Sequence, residues 1–197
     1  AYLYLLLTGA IPLMISSSIE KGLLNKILLK YKPSFILSKK KEPLTKELNI
    51  RSFLDIGQYR IYEFLETIKF EINPEINLLL PTSGSTGNPK YVRLSKQNIF
   101  SNAKSISKYL KLDKNEIAIT TLPPNYSFGL SIIHSHILVG AKLAVTKKSI
   151  MEKSFWNFLK NNNVTSLSGV PFHYEMLYKL KFDKLNLPSL KTLTQAG

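Results

Sequence analysis

The sequence predicts an α/β fold with largely parallel sheets. Short runs of β-branched and aliphatic residues, such as 116–122 and 142–146, indicate strands. Between them lie longer segments whose apolar side chains recur at helical spacing, such as 128–139. Strands that alternate with helices in this way are typical of parallel sheets covered by helices. The length of 197 residues, with 44% hydrophobic and 20% charged residues, is ordinary for a globular protein.

A serine that can cap the first turn opens three of the predicted helices, which span 18–31, 95–110 and 149–161. Two further helices are predicted over 128–139, where Gly140 ends the helix, and over 171–180, where Pro171 opens it. The polar, mixed segment 39–55 is predicted to be a loop. The predicted strands cover 10–15, 34–38, 59–65, 78–80, 91–94, 116–122, 142–146, 164–167 and 190–194.

The chain is strongly basic, with 27 Lys and Arg against 13 Asp and Glu and a net charge of +14. Such a surplus occurs in proteins that bind nucleic acids or anionic membranes. The lysines are scattered, however, and only Lys39, Lys40 and Lys41 form a block. Because no basic patch is interleaved with aromatic residues, we expect a solvated basic surface and no nucleic-acid partner.

Compartment and membrane association follow from simple counts. The absence of cysteine excludes disulfides and thiolate metal sites and favours a cytoplasmic protein. His134 and His136 stand two residues apart, which puts them on different faces of a helix and argues against a metal site.

The apolar opening, 1–15, is too short for a spanning helix, contains Gly9 and Pro12, and follows no basic segment. We expect neither a membrane span nor a signal peptide and, without an initiator methionine, a chain that starts inside a larger protein.

Residues 78–90 carry the strongest chemical signal. Three leucines, predicted to form a buried strand, lead into small and hydroxyl residues that end at Lys90. Gly84 and Gly87 let the backbone approach a ligand closely, and Lys90 supplies a positive charge. A Walker-type loop is excluded because no Gly-Lys pair follows at the required spacing. The run is therefore either a polyphosphate-binding loop or an exposed turn, with four hydroxyl donors at Thr82, Ser83, Ser85 and Thr86.

The run Thr82-Ser83-Gly84-Ser85-Thr86-Gly87-Asn88-Pro89-Lys90 resembles the signature of the AMP-forming, carboxylate-adenylating superfamily. That superfamily includes acyl- and aryl-CoA synthetases, adenylation domains of peptide synthetases, and luciferases. The usual pattern, T-S-G-[ST]-T-G-x-P-K-G, is matched until its last position, where Tyr91 replaces glycine. The resemblance implies that ATP phosphates bind to Thr82, Ser83, Gly84, Ser85, Thr86, Gly87 and Lys90, and that Lys90 and Thr86 are catalytic.

The segment 122–130, Leu-Pro-Pro-Asn-Tyr-Ser-Phe-Gly-Leu, is either a plain connection between a strand and a helix or a substrate pocket. It resembles the second motif of the superfamily, roughly L-P-x-x-H-x-[FY]-G-L in acyl-CoA synthetases. On that resemblance, Tyr126 gates the acyl pocket, and Phe128, Gly129 and Ile132 line it. The segment contains no acidic residue to hold an α-ammonium group, which argues against α-amino acid substrates.

Two later segments resemble the superfamily as well. Residues 168–172 are similar to the strand-Pro-helix segment that precedes the acyl pocket, and 187–197 to the approach to a G-G/A-x-L segment. The resemblance then puts Gln195, Ala196 and Gly197 near the acyl chain and adenine. It implies stacked sheet-helix subdomains, with 1–197 as part of the large N-terminal AMP-binding domain. Residues 1–80 would form a first sheet-helix portion and 81–197 the phosphate loop and a second portion, with the C-terminal domain absent.

The function implied by the resemblance is the ATP-dependent adenylation of a small carboxylic acid. The acyl group then passes to coenzyme A or to the phosphopantetheine of an acyl carrier protein, and Mg²⁺ is bound by residues outside this chain. The sequence lacks the family's Glu, Asp and Lys segments for magnesium, ribose and catalysis, so we expect residues 1–197 alone to be inactive. The alternative is a non-catalytic nucleotide-binding or docking fragment.

Overall fold

The computed structural model describes residues 2–40, 48–65, 71–82 and 90–196. The chain divides into two compact units. Within the described residues, the larger unit comprises 2–14, 75–82 and 91–196. The smaller unit comprises 15–40, 48–65, 71–74 and Lys90.

The smaller unit packs one helix, α2 (Lys21–Tyr31), on an antiparallel sheet. The strands are β1 (Phe35–Lys39), β2 (Ile50–Ile56) and β3 (Tyr59–Phe64), in the order β1-β3-β2. The hydrophobic core of this unit consists of buried Leu28, Leu48 and Phe64, with Leu24, Ile36 and Ile50 packed against them.

The prediction of a loop over 39–55 is wrong, because 50–56 form β2. The polar residues that suggested a loop are paired across strands, as is usual on an exposed sheet face. Arg51 lies opposite Glu63 and bonds to its carboxylate at 2.7 Å. Asp55 lies opposite Arg60, whose guanidinium donates to it at 2.7 Å.

The predicted cap of α2 is also wrong. The Ser18 hydroxyl lies 2.8 Å from the Ser16 hydroxyl, and the helix begins at Lys21 after Glu20, which makes no side-chain cap. The two hydroxyls stabilise the turn before the helix rather than its first amides, because Ser16 Oγ accepts the Ser18 N–H.

The larger unit begins with α1 (Tyr2–Leu7) and contains an antiparallel pair, β4 (Ile76–Pro81) and β5 (Tyr91–Ser95). The predicted strand over 10–15 is reduced to one parallel bridge between Leu13 and Leu79. Pro12 has no N–H to extend such a ladder, although its carbonyl accepts from Leu79 at 2.9 Å.

Helix α3 (Lys96–Tyr109) follows β5 directly, and its predicted serine cap is confirmed. The Asn98 N–H donates to Ser95 Oγ, while Asn98 Oδ1 accepts from the Ser95 N–H. The reciprocal pair satisfies two amides that the helix itself leaves unpaired and sets the start of the helix.

A four-stranded parallel sheet with the order β7-β6-β8-β9 forms the rest of the larger unit. The α/β class is thereby confirmed, and the antiparallel pairings lie in β1–β3 and in the β4–β5 hairpin. The strands are β6 (Ile117–Ile119), β7 (Lys142–Ala144), β8 (Ser166–Gly169) and β9 (Thr192–Gln195). The connecting helices are α4 (Ser127–Leu138), α5 (Lys153–Asn161) and α6 (Pro171–Lys179), followed by a 3-10 turn, Phe182–Lys184.

Helix α5 begins at Lys153 and not directly after Ser149, the residue predicted to cap it. Ser149 Oγ accepts the Met151 N–H at 3.2 Å, and the Ser149 N–H donates to Glu152 Oε1 at 2.8 Å. Ser149 therefore stabilises the turn that leads into the helix, and Glu152 occupies the cap position without a side-chain cap bond.

The two sides of the parallel sheet differ in what covers them. Ile119 and Leu167 face a large apolar core that includes α5 and α6, here called the α5/α6 face. Ala118 faces the opposite way and packs against Ile132 of α4, so this side is called the α4 face. Since side chains alternate along a strand, the pairing of Ala118 with Ser166 puts Ser166 on the α4 face as well.

Across the residues that the structure describes, none of the helices combines the length and apolar character needed to cross a membrane.

Candidate functional site

The carboxyl ends of β6, β7, β8 and β9 all lie at one edge of the parallel sheet. In open α/β sheets, ligands usually bind just outside this edge. Several residues singled out in the sequence lie at these strand ends or in the connection that follows β6. They are Tyr126, Phe128 and Gly129 after β6, and Gln195 and Ala196 at the end of β9.

An apolar cluster, here called the pocket cluster, gathers around the connection between β6 and α4. Buried Ala118, Leu122 and Ile132 form its centre, and the partly buried side chains around it are Tyr126, Phe128, Leu143 and Val170. The structure thus brings together three of the four residues predicted for the first part of the acyl pocket. Ile132 is only 6% exposed because it packs directly onto the sheet.

Gly129 lies against the backbone of the preceding turn. A Cβ at this position would lie 2.5 Å from the Pro123 carbonyl oxygen and 3.0 Å from Leu122 Cβ. The Tyr126 N–H also donates to the Pro123 carbonyl, at 3.0 Å. The glycine therefore allows α4 to start close to the turn and fixes where Tyr126 and Phe128 lie.

The ends of β8 and β9 meet at Gly169, which pairs with Gln195 and accepts a long hydrogen bond of 3.4 Å from the Ala196 N–H. Gly197 lies outside the described residues. A Cβ on Gly169 would lie 2.8 Å from His173 Cβ, so the first turn of α6 packs closely on this strand end.

His173 and Tyr174 lie in that turn, close to Gly169. His173 Nδ1 accepts the Val170 N–H at 3.3 Å, and burial lowers the pKa of its imidazole. Burial raises the pKa of the Tyr174 phenol, whose hydroxyl has no hydrogen-bond partner within the described part of the chain. Sequence reasoning did not identify either residue, because their closeness to Gly169 depends on how α6 packs.

A pair of hydroxyls at the same edge was also missed. Thr194 Oγ1 donates to Ser168 Oγ at 2.7 Å, across the β8–β9 pairing, and the Thr121 hydroxyl donates to the Ser168 carbonyl. The only signal in the sequence is a hydroxyl residue at every second position, 166 and 168 in one strand and 192 and 194 in the next.

The predicted phosphate loop connects the ends of an antiparallel hairpin. Pro81 at the end of β4 pairs with Tyr91 at the start of β5. Thr82 directly follows the first strand, and Lys90, which is exposed, directly precedes the second. The other predicted phosphate ligands, Ser83, Gly84, Ser85, Thr86 and Gly87, lie outside the described residues.

The described part of the chain contains no group of three or more His, Cys, Asp or Glu that could hold a metal ion. The described residues therefore offer no cluster of carboxylates for a magnesium ion. The two histidines of α4 are engaged within the protein: His134 Nε2 lies 2.8 Å from the Tyr2 hydroxyl, and His136 Nδ1 lies 2.8 Å from the Ile132 carbonyl oxygen. Burial lowers the pKa of both imidazoles.

Comparison with known proteins gives the same class as the fold and the loop. The family described as AMP-binding enzyme matches residues 5–197, so the chain belongs to this family, and the resemblance to the adenylating superfamily is confirmed.

Three relatives illustrate the range of the family. The chain is 31% identical over 124 residues to the D-alanine–D-alanyl carrier protein ligase of Bacillus cytotoxicus. The matched region covers 60% of this chain and 24% of that protein. It is 29% identical over 118 residues to the acyl-CoA ligase SID4 of Ajellomyces capsulatus, covering 59% and 20%. The O-succinylbenzoate coenzyme A synthetase (MenE) of Bacillus subtilis, solved in complex with AMP, shares the fold with a TM-score of 0.73 at 19% identity, covering 100% of this chain and 51% of that chain. The chain thus spans about a quarter or less of the two ligases' length and about half of the synthetase's.

Proposed function

We propose that the complete protein that carries this chain joins a carboxylic acid to a thiol through an acyl-adenylate. The acid's carboxylate oxygen attacks the α-phosphorus of ATP, and the bond to the leaving pyrophosphate breaks. The thiol sulfur of coenzyme A or of a carrier-protein phosphopantetheine then attacks the acyl carbon, and AMP leaves. The observation that carries this proposal is the nine-residue match at 82–90, placed between β4 and β5 of a chain that belongs to the AMP-binding enzyme family.

The proposed phosphate loop acts by positioning and charge. Hydroxyls of Thr82, Ser83, Ser85 and Thr86 would donate hydrogen bonds to the β- and γ-phosphates, while Gly84 and Gly87 would let backbone amides approach. Lys90 would balance the charge that develops on the leaving pyrophosphate. Magnesium would neutralise phosphate charge when bound. The described residues contain no group of three or more His, Cys, Asp or Glu that could hold it, and we assign no step to it.

The pocket cluster is proposed to hold the acyl tail, with Tyr126 at its entrance and Phe128, Gly129 and Ile132 behind it. Gln195, Ala196 and Gly197 would border the acyl chain and adenine. No member of the cluster is acidic, so an α-ammonium group would find no carboxylate there. We therefore propose a neutral-tailed acid as substrate, although the relative from Bacillus cytotoxicus is named for D-alanine. Residues 1–197 alone are proposed to be inactive.

Replacing Lys90 tests the proposed reaction. Loss of a charge-assisted phosphate contact costs about 1.5–3 kcal/mol, so Lys90→Ala should slow adenylation roughly tenfold or more. Acyl transfer from preformed adenylate should change less. Carboxylate-dependent ATP–pyrophosphate exchange measures the first step, and single-turnover transfer the second.

The matched control is Lys96→Ala, because Lys96 is exposed at the start of α3, outside the loop. It should leave both steps unchanged. Equal slowing of the two steps by Lys90→Ala would contradict the proposed role, and an absence of exchange with every acid tried would reject the function itself.

Substrate class is tested with pairs of acids that differ only in a 2-amino group, such as hexanoate and 2-aminohexanoate. Burial of the tail favours binding by about 0.8 kcal/mol per methylene for either acid, whereas only the amino acid brings an ammonium to be desolvated. We expect faster pyrophosphate exchange with hexanoate. Preference for the amino acid would show that the tail does not bind against the pocket cluster alone.

A further inference from the structure

The antiparallel sheet of the smaller unit has two faces, and α2 covers one of them. Ile36, Ile50 and Phe64 pack in one cluster with Leu28 of α2. Because side chains alternate along a strand, the residues between them point to the opposite side, here called the outer face. The cross-strand rows of the outer face are Phe35, Glu63 and Arg51; Leu37, Ile61 and Leu54; and Lys39, Tyr59 and Ile56.

The outer face is apolar over most of its area. Phe53, at the shift of register in β2, adds to it, because its ring lies 5.5 Å from that of Phe35 between centroids. The side chains that are each 48–56% exposed on this face are Phe35, Leu37, Phe53, Leu54 and Ile56. An antiparallel sheet with one solvated side usually carries polar residues there, so this apolar patch indicates an interaction surface.

The exposed apolar area is of the size that a dimer interface needs. With roughly 200 Å² for a large apolar side chain, five that are half exposed present roughly 500 Å² of apolar surface. Two copies that pack these side chains together would bury about 1,000 Å², the area at which specific protein interfaces begin. Two sheets packed face to face interdigitate such side chains in a layer about 10 Å thick.

Charge favours a second copy of the chain as the occupant. Each copy carries a net charge of +14, so two copies repel each other unless they meet through faces of little net charge. On the outer face, Arg51 Nη2 lies 2.6 Å from Glu63 Oε2, which cancels two of the three charges, and Lys39 at one end is the remaining charged residue of the three rows. An anionic membrane would instead attract a face with a clear excess of basic residues.

We propose that the outer face of β1–β3 is the interface of a homodimer, in which two copies pack these sheets face to face about a twofold axis. In such an interface the same patch serves both copies, so Phe35 and Phe53 of one copy pack on apolar side chains of the other. The inference is independent of the proposed reaction, because none of the residues proposed for ATP or acid binding belongs to the outer face.

Sedimentation equilibrium of the complete protein tests the dimer. We expect the unmodified protein to dimerise. Leu54→Glu should raise the dissociation constant roughly hundredfold or more, because the twofold axis brings two unpaired carboxylates into the interface. Phe53→Ala introduces no charge and should raise the constant roughly tenfold, since it removes an aromatic contact from each copy.

The matched control is Leu29→Glu, which makes the same change at an exposed position of α2, on the other side of the sheet. It should leave the dissociation constant unchanged. Circular dichroism shows whether each variant folds, and Phe53→Ala decides the test if Leu54→Glu does not.

The outcomes distinguish the possible occupants. A complete protein that stays monomeric at every concentration would overturn the proposal, and loss of binding to phosphatidylglycerol vesicles in Leu54→Glu would then identify a membrane as the occupant. A dimer that both outer-face variants leave intact would also overturn it, because another surface would hold the copies together. Dissociation by the two outer-face variants, with Leu29→Glu still dimeric, would support the proposal.

Discussion

The two faces of the parallel sheet are built from different chemistry although they belong to the same four strands. On the α5/α6 face, Ile119, Leu167, Phe155 and Leu159 are each 0–1% exposed and form a continuous apolar core. On the α4 face, the buried set includes Ser135, His136, Ser166 and Ser168. Burial of apolar side chains stabilises the fold without requiring contacts of defined direction. Each buried polar group, in contrast, needs a hydrogen-bond partner.

The polar groups of the α4 face are paired by a short network. Ser107 of α3 donates to the Ser135 carbonyl at 3.0 Å, and His136 Nδ1 lies 2.8 Å from the Ile132 carbonyl oxygen. Such a network holds helices in defined positions but adds little net stability. We therefore expect stability to be concentrated on the α5/α6 face, while the network of the α4 face mainly fixes the positions of its helices.

The largest expected effect comes from breaking the α5/α6 face. Phe155 is fully buried and packs edge-on against Trp156 at 5.1 Å between ring centroids. Phe155→Ala leaves a cavity and should lower the free energy of unfolding by about 3–5 kcal/mol. Urea unfolding of the complete protein, followed by circular dichroism, measures the change.

The control for this variant is Phe100→Ala on α3, where the ring is 47% exposed. It should change the free energy of unfolding by less than about 1 kcal/mol. Similar losses in the two variants would mean that the α5/α6 face is not the main source of stability.

A smaller effect is expected on the α4 face from Gly129→Ala. The new methyl group would meet the Pro123 carbonyl oxygen at 2.5 Å, so the turn or α4 must shift, at a cost of about 1–3 kcal/mol. The matched control is Gly22→Ala in α2, where a Cβ meets only Glu20 Oε1 at 3.8 Å. That variant should stabilise its helix by about 0.5–1 kcal/mol, because alanine is the better helix former. Changes of the same sign in both variants would contradict the close approach at Gly129.

Sequence reasoning predicted what depends on local pattern. Alternating strands and helices predicted the parallel sheet, and the serine at 95 predicted a cap that the structure shows together with Asn98. Strand β2 was missed because its charged residues are neutralised by partners on β3, which only the register between strands defines.

In the candidate site, too, the features set by local sequence pattern were predicted and those set by contacts between strands were not. The motif identified Tyr126 and Phe128, and the structure places both in one cluster. The Ser168–Thr194 pair was missed because the two residues are 26 positions apart and meet only through the β8–β9 register. The predicted ATP-phosphate and acyl-pocket roles of the named residues stay predictions.

The smallest expected effect is a pH response that should separate the two faces. His134 and His136 lie on α4, and burial lowers the pKa of both below the ordinary value of 6.5, although the nearby Ile132 carbonyl and Glu116 partly offset this for His136. A histidine with a lowered pKa in the folded state binds its proton more readily when the protein is unfolded. Its destabilising effect is therefore absent above about pH 6.5 and grows as the pH falls below that value.

Helix α5 contains no histidine, and the pKa of Glu152 before it is lowered by the Ser149 N–H and the Ser154 hydroxyl, so that carboxylate stays ionised in this range. Hydrogen exchange in the complete protein, corrected for its intrinsic pH dependence, should therefore show α4 losing protection between about pH 7.5 and about pH 5.5 while α5 changes little. His136→Gln should flatten the response of α4, and equal loss in both helices would show that the two faces respond to acid as one unit.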